Sequence, residues 1–138
     1  MTQQRFGEGD ASLQAMGGEA GVAALVDRFY DLMDTLPEAA PIRAMHASDL
    51  SLAKEKLTVF LVGWLGGPKR YAARWGQIRI PAAHAHLPIG AAERDQWLLC
   101  MDGALAQMDV TPAFAAYFRA QIRVPADRIV AAAERARR

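Results

Sequence analysis

An all-α domain follows from three features of this chain. Apolar residues recur at the helical spacing i, i+3, i+4, i+7 in separate stretches, no stretch alternates apolar with polar over a strand's length, and glycines or prolines fall between the periodic stretches. With 138 residues, 52% of them apolar, the chain has the size of one domain and enough apolar side chains to bury a core.

The first helix carries Val22, Leu25, Val26, Phe29, Tyr30 and Met33 on one face, between Gly17-Gly18 and Pro37. A second starts among the hydroxyls of Ser48 to Ser51. It places Ala53, Leu57, Phe60, Leu61, Trp64 and Leu65 on one stripe and stops at Gly66-Gly67-Pro68. From Lys69 to Ala92 no helical period persists, and a connection that long in a small domain is usually held by something it binds. A third helix opens with Glu93 and Asp95, suited to an N-terminal dipole, and is expected to bury Trp97, Cys100, Met101, Ala104, Leu105 and Met108. Thr111-Pro112 starts a fourth, with Phe114, Tyr117, Phe118 and Ile122. Pro125 is expected to kink or break it before Ile129 and Val130 resume the face. Residues 1–15, with Gly7 and Gly9, are expected to form a flexible leader before a domain spanning 16–138.

Lys and Arg number 16 against 15 Asp and Glu, so the net charge of +1 creates no field that would gather nucleic acid or an anionic membrane. A small partner is the expectation. Cys100 is the single cysteine, and no basic start with an apolar run precedes Met16, which points to a cytoplasmic protein. The apolar run from Leu57 to Leu65 is about half the length that spans a bilayer, so it reads as a buried helix. The closing AERARR suits a solvated helix end, where cations favour the dipole.

The chemistry must come from polar groups. In PAAHAHLPIG, from Pro81 to Gly90, two imidazoles two residues apart could share a metal, but zinc wants four ligands and neither a cysteine cluster nor paired carboxylates lie nearby. Cys100 sits on an apolar stripe, where it behaves as a small hydrophobe and not as a nucleophile. A lone loop histidine is ordinarily a surface residue or a satisfied hydrogen-bonding group. Tyr30, His46 and Trp97, however, lie on or beside the apolar faces of three different elements, and buried Tyr and Trp need partners for their polar atoms. A pocket lined by Phe29, Leu57, Phe60, Leu61 and Met101, with a loop imidazole on one side and three donors on the other, suits a flat apolar cofactor with an axial ligand, a haem.

The stretches LVDRFYDLM, FLVGWLGGPKRY and HAHLPIGAAERDQWLLCM resemble, in order and spacing, the group II truncated haemoglobins over about Met16 to Met108. The resemblance implies the two-over-two helical sandwich of the truncated globin fold and haem b with its iron. It makes His84, nine residues before Glu93 and thirteen before Trp97, the axial ligand of the iron, and leaves His86, where the family usually has proline, to the loop wall or solvent. Tyr30 matches the family's distal tyrosine and Trp97 its distal indole donor. His46 stands at the start of the CD turn, a position that holds Phe, Tyr or His across the family. Ala53 occupies the position where many globins place a distal histidine, with Leu57 one turn later; neither can bond to a ligand. The family's Arg before the axial histidine is Ala83 here, and its Gly-His-Pro is Gly76-Gln77-Ile78, which moves propionate anchoring to Tyr71 and Arg79. Ile89 joins Phe29, Ala53, Leu57, Phe60, Leu61 and Met101 among the expected cofactor contacts.

The function so implied is binding of O2 and related ligands (NO, CO or peroxide) at ferrous haem with strong distal hydrogen bonding. The bound oxygen would serve nitric oxide dioxygenase-like or peroxidase-like chemistry and not transport. Such a protein needs a reductase, unidentified here, and is expected as a monomer or homodimer. Two other readings stand beside it: a diatomic-gas sensor or oxygen reservoir without turnover, and an electron-transfer haem protein with His46 as sixth ligand. A helical scaffold without cofactor would be colourless.

Overall fold

The computed structural model describes residues 5–76 and 89–136, in which every regular element is helical. In chain order these are α1 (Ala11–Met16), α2 (Gly18–Thr35), a 3₁₀ turn (Pro37–Ala39), α3 (Ala40–Ala44), α4 (Ser51–Trp64), α5 (Tyr71–Trp75), α6 (Ala91–Ala106) and α7 (Pro112–Ala136). Helix α2 packs on both α4 and α6, and α6 packs on α7, so two helical pairs lie one over the other. All six residues expected on the inner face of α2 are buried.

The ends of the long helices are set by side-chain chemistry. Neither Ser48 nor Ser51 caps α4 with its hydroxyl; the Asp49 carboxylate does that work, accepting from the Ser51 backbone N–H at 2.9 Å. Contacts from Ser51 hold the Asp49 carboxyl below its ordinary range. At the start of α6, the Gly90 N–H donates to Glu93 Oε1 at 2.7 Å, half of a capping box. Thr111 Oγ1 accepts from the Phe114 N–H at 3.2 Å and opens α7 as expected.

Helix α7 runs unbroken through Pro125 to Ala136, where a kink or break was expected. An interior proline costs about 3 kcal/mol. Buried Ile122, Ala126, Val130 and Ala133 flank it on the inner face, and burying one Ile or Val contributes roughly 1.5–3 kcal/mol, enough to offset that cost. Along α6, Cys100, Met101, Ala104 and Leu105 are buried as expected, together with Leu98, whereas Trp97 and Met108 are only half-buried. The stretch from Lys69 to Ala92 contains α5 and the first two residues of α6.

Packing begins well before Met16, the expected start of the domain. The Phe6 ring lies 5.2 Å from those of both Phe114 and Tyr117. Ser12, buried, accepts the Gly7 N–H at 2.9 Å, and Leu13 N–H donates to the Leu65 carbonyl at 3.1 Å. Residues 6–16 thereby strap the end of α4 to α7. No helix among the described residues is long and apolar enough to cross a membrane.

The strap depends on Gly66, which takes φ +99°; a Cβ there would lie 1.9 Å from the Gly9 carbonyl oxygen. Gly66→Ala is therefore expected to lose at least about 1–3 kcal/mol in urea unfolding, through a strained φ and a backbone clash. Gly18→Ala is the control. Gly18 also has positive φ, +74°, but open space around it, so strain alone should act and the loss should be smaller.

Candidate cofactor pocket

A cavity of about 430 Å³ lies among α2, α4, α6 and α7, within the size range of small-molecule and cofactor sites. Eight residues expected at a cofactor site line it: Tyr30, His46, Ala53, Leu57, Phe60, Tyr71, Ile89 and Trp97. Helix α4 explains itself here. Ala53, Leu57 and Phe60 are only half-buried because their stripe faces the cavity, while Leu61 and Leu65 go into solid core.

Phe29, Leu61 and Met101, expected as cofactor contacts, do not line the cavity; each has no exposed surface and stands in the core behind the wall. Neighbouring positions on a helix diverge by about 100°, so Tyr30 can face the cavity while Phe29 faces inward. The Phe29 ring meets Tyr30 at 4.9 Å and Trp97 at 5.0 Å, edge-on to both. Expected site residues His84 and Arg79 lie outside the described residues, as does His86.

The cavity also takes in Ile42 and Met45 from α3 and its end, Lys56 from α4, Glu93 and Arg94 from α6, and Ile122, Pro125, Ala126 and Ile129 from α7. Sequence reasoning missed these. Ile122, Ala126 and Ile129 do carry a helical i, i+4, i+7 signal, but that pattern describes core and cavity wall alike. Helix α3 is too short to show any period.

Three polar side chains converge on the apolar space. Tyr30 is 5% exposed, and burial pushes its phenol up to about 12, so it keeps its proton as a donor. Among the described residues, neither the Tyr30 hydroxyl nor the Trp97 indole N–H has a hydrogen-bond partner within the protein. His46 Nδ1 lies 2.8 Å from the Ile42 carbonyl oxygen, and its ring stands edge-on to Tyr30 at 5.7 Å between centroids. Arg43 fixes the loop that follows: its Nε donates to Asp34 at 2.5 Å, and its remaining nitrogens donate to the Ala47 and Ser48 carbonyls, each at 3.0 Å. Cys100 has no exposed surface, and burial, with Glu38 nearby, pushes its thiol up to about 11.

The rest of the polar lining is Lys56, Tyr71, Glu93 and Arg94. Arg94 donates to Asp95 at 3.1 Å and Asp127 at 3.2 Å. Lys56 has no carboxylate partner among the described residues and rests over the Trp75 ring, 5.7 Å from its centroid. Tyr71 packs on the same indole at 5.0 Å. An unpaired ammonium and a phenol beside walls of Leu57, Phe60, Ile122 and Ile129 fit a flat apolar macrocycle that ends in carboxylates. The residues present suit haem.

The fold and this pocket define an all-helical protein built around a flat prosthetic group. The family model for bacterial-like globins matches residues 12–127. The group 2 truncated hemoglobin YjbI of Bacillus subtilis (strain 168) is 35% identical over 96 residues, 70% of each chain. The group II 2-on-2 hemoglobin of Agrobacterium tumefaciens superposes with a TM-score of 0.83 at 38% identity, over 93% of this chain and 95% of that one. The truncated oxygen-avid haemoglobin of Bacillus subtilis gives 0.77 at 29% identity, over 86% and 98%. The chain belongs to the bacterial-like globin family, as a group II truncated haemoglobin of two-over-two fold that binds haem b with its iron.

The Tyr30 environment has a pH signature. In an ultraviolet difference titration of the three tyrosines, Tyr30→Phe is expected to remove an ionisation near pH 12 and no earlier one. Because this folded-state pKa is raised, the corresponding stability is fully present below about pH 10, the ordinary tyrosine value, and is lost as pH rises toward 12.

Proposed function

We propose that the protein binds O2 and related diatomics at ferrous haem and holds them by hydrogen bonds from Tyr30 and Trp97, for use in oxygen, nitric oxide or peroxide chemistry and not for transport. The observation that carries this reading is the pair of donors, neither with a partner within the protein among the described residues, that face one apolar cavity from two different helices. When bound, haem supplies an iron that takes a diatomic ligand and pushes electron density onto it. His84 is the residue assigned to that iron.

The protein's own part is electrostatic. A phenol and an indole fixed in place need no reorganisation to meet negative charge, and in a water-poor cavity their dipoles act more strongly than in water. Packing against Phe29 holds both rings. If each donor contributes about 1 kcal/mol net, each slows ligand escape about fivefold, and the two together slow it roughly thirtyfold. A ligand held that long is poorly suited to delivery and well suited to reaction in place. One similar structure is that of an oxygen-avid haemoglobin, which agrees with this reading. Lys56 and Tyr71, with Arg79, are assigned to the haem carboxylates.

Wild type expressed with haem precursor should show a Soret band that His84→Ala loses or shifts. Tyr30→Phe and Trp97→Phe should each raise the O2 dissociation rate about fivefold in stopped-flow displacement by CO; unchanged rates in both would overturn the donor reading. Mixing the oxygenated protein with nitric oxide tests the reactive use. Rapid conversion to the ferric form supports it, and survival of the oxygenated spectrum would instead mark a sensor or reservoir.

A further inference from the structure

We infer that Met108 is a site of oxidation by hydrogen peroxide, and that Arg28 holds the sulfoxide formed there. Neither residue lines the cofactor cavity, so the inference is independent of the roles of Tyr30 and Trp97.

Of the six methionines, Met16, Met33 and Met101 are at most 2% exposed, and Met45 lines the cavity. Met108 differs from these four. It lies just past the end of α6, half-buried against the core, with its backbone N–H donating to the Leu105 carbonyl at 3.0 Å. Arg28 Nη1, from α2, donates to its sulfur at 3.4 Å.

A guanidinium carries five N–H donors, and a thioether is a weak acceptor. Arg28 has no carboxylate partner among the described residues, so a charged, half-buried group is matched here to a poor acceptor. One oxygen on the sulfur changes that. A sulfoxide oxygen carries partial negative charge and takes a charge-assisted bond from a guanidinium. At most positions a sulfoxide is a polar group forced into apolar packing, and it loosens the core. At Met108 the donor is already in place. The bond also joins α2, one residue before Phe29, to the end of α6, so oxidation strengthens the contact between these two helices.

The step balances with hydrogen peroxide as oxidant. A sulfur lone pair attacks one peroxide oxygen, the S–O bond forms as the O–O bond breaks, and hydroxide leaves. The hydroxide takes the proton from the transferred oxygen, which yields sulfoxide and water. Sulfur loses two electrons and the peroxide gains them. Nη1 occupies one lone pair of the sulfur and leaves the other for the attack. The Cys100 thiol does not compete. It has no exposed surface, and burial, with Glu38 nearby, keeps it in the protonated form, which is a poor nucleophile.

The first test is peptide mass spectrometry of the full haem-loaded chain after limited hydrogen peroxide, with cyanide on the ferric iron so that peroxide meets the thioethers directly. Met108 should gain one oxygen before Met16, Met33, Met45 and Met101 do; earlier oxidation of any of those four overturns the inference. The hold on the product is read in urea unfolding with Met108→Gln, whose amide oxygen stands in for that of the sulfoxide. Arg28→Leu should raise the unfolding constant about tenfold more in a Met108→Gln background than in wild type, the size of one hydrogen bond to a charged group. An equal effect in both backgrounds overturns the role given to Arg28. Wild type oxidised at Met108 should also keep its unfolding midpoint, and a midpoint lowered as far as in oxidised Arg28→Leu would count against that role equally.

Discussion

Phe29 has no exposed surface, and its ring meets Tyr30 and Trp97 edge-on at about equal distance, so α2 and α6 approach each other in the register these three rings allow. The placing of two polar side chains on one cavity wall follows from that contact. Tyr30 comes from α2 and Trp97 from α6, so the two donors reach the same cavity from different helices. Edge-to-face aromatic pairs contribute roughly 0.5–1.5 kcal/mol beyond their buried area and prefer a defined angle, so the wedge that stabilises the core also orients the polar atoms. A residue that touches no ligand here sets the positions of two that face the cavity.

Around this wedge the domain tolerates a fault that a solid core would not. A cavity with unpaired donors loses dispersion contacts and leaves polar groups unsatisfied, at roughly 1–3 kcal/mol for each such group. The cost is compensated at the periphery. The segment from Phe6 to Met16 straps the end of α4 to α7, and α7 continues past Pro125 on buried Ala126, Val130 and Ala133. The space the apolar walls leave suits haem, and Lys56 and Tyr71 are the polar side chains proposed for its carboxylates.

The α2 face was legible because six apolar side chains over three turns leave little ambiguity in period. Tyr30, His46 and Trp97 were legible for a different reason: polar atoms on apolar stripes demand an explanation. What hydropathy could not decide was which apolar residue meets the cavity and which meets core. Leu61 and Met101 look like contacts and are packing, while Ile122 and Ile129 look like packing and line the pocket. Lys56 was invisible because a lysine in an amphipathic helix reads as solvated. The cap of α4 was misread because two serines drew attention from Asp49, whose carboxylate accepts more strongly than a hydroxyl.

The same burial that keeps Tyr30 protonated limits what the site can do, because a neutral phenol has one proton to give. Every acceptor near it competes for that proton. The Ile42 carbonyl, four residues before His46, holds Nδ1 of that imidazole at 2.8 Å, so the backbone sets how the ring beside Tyr30 is turned.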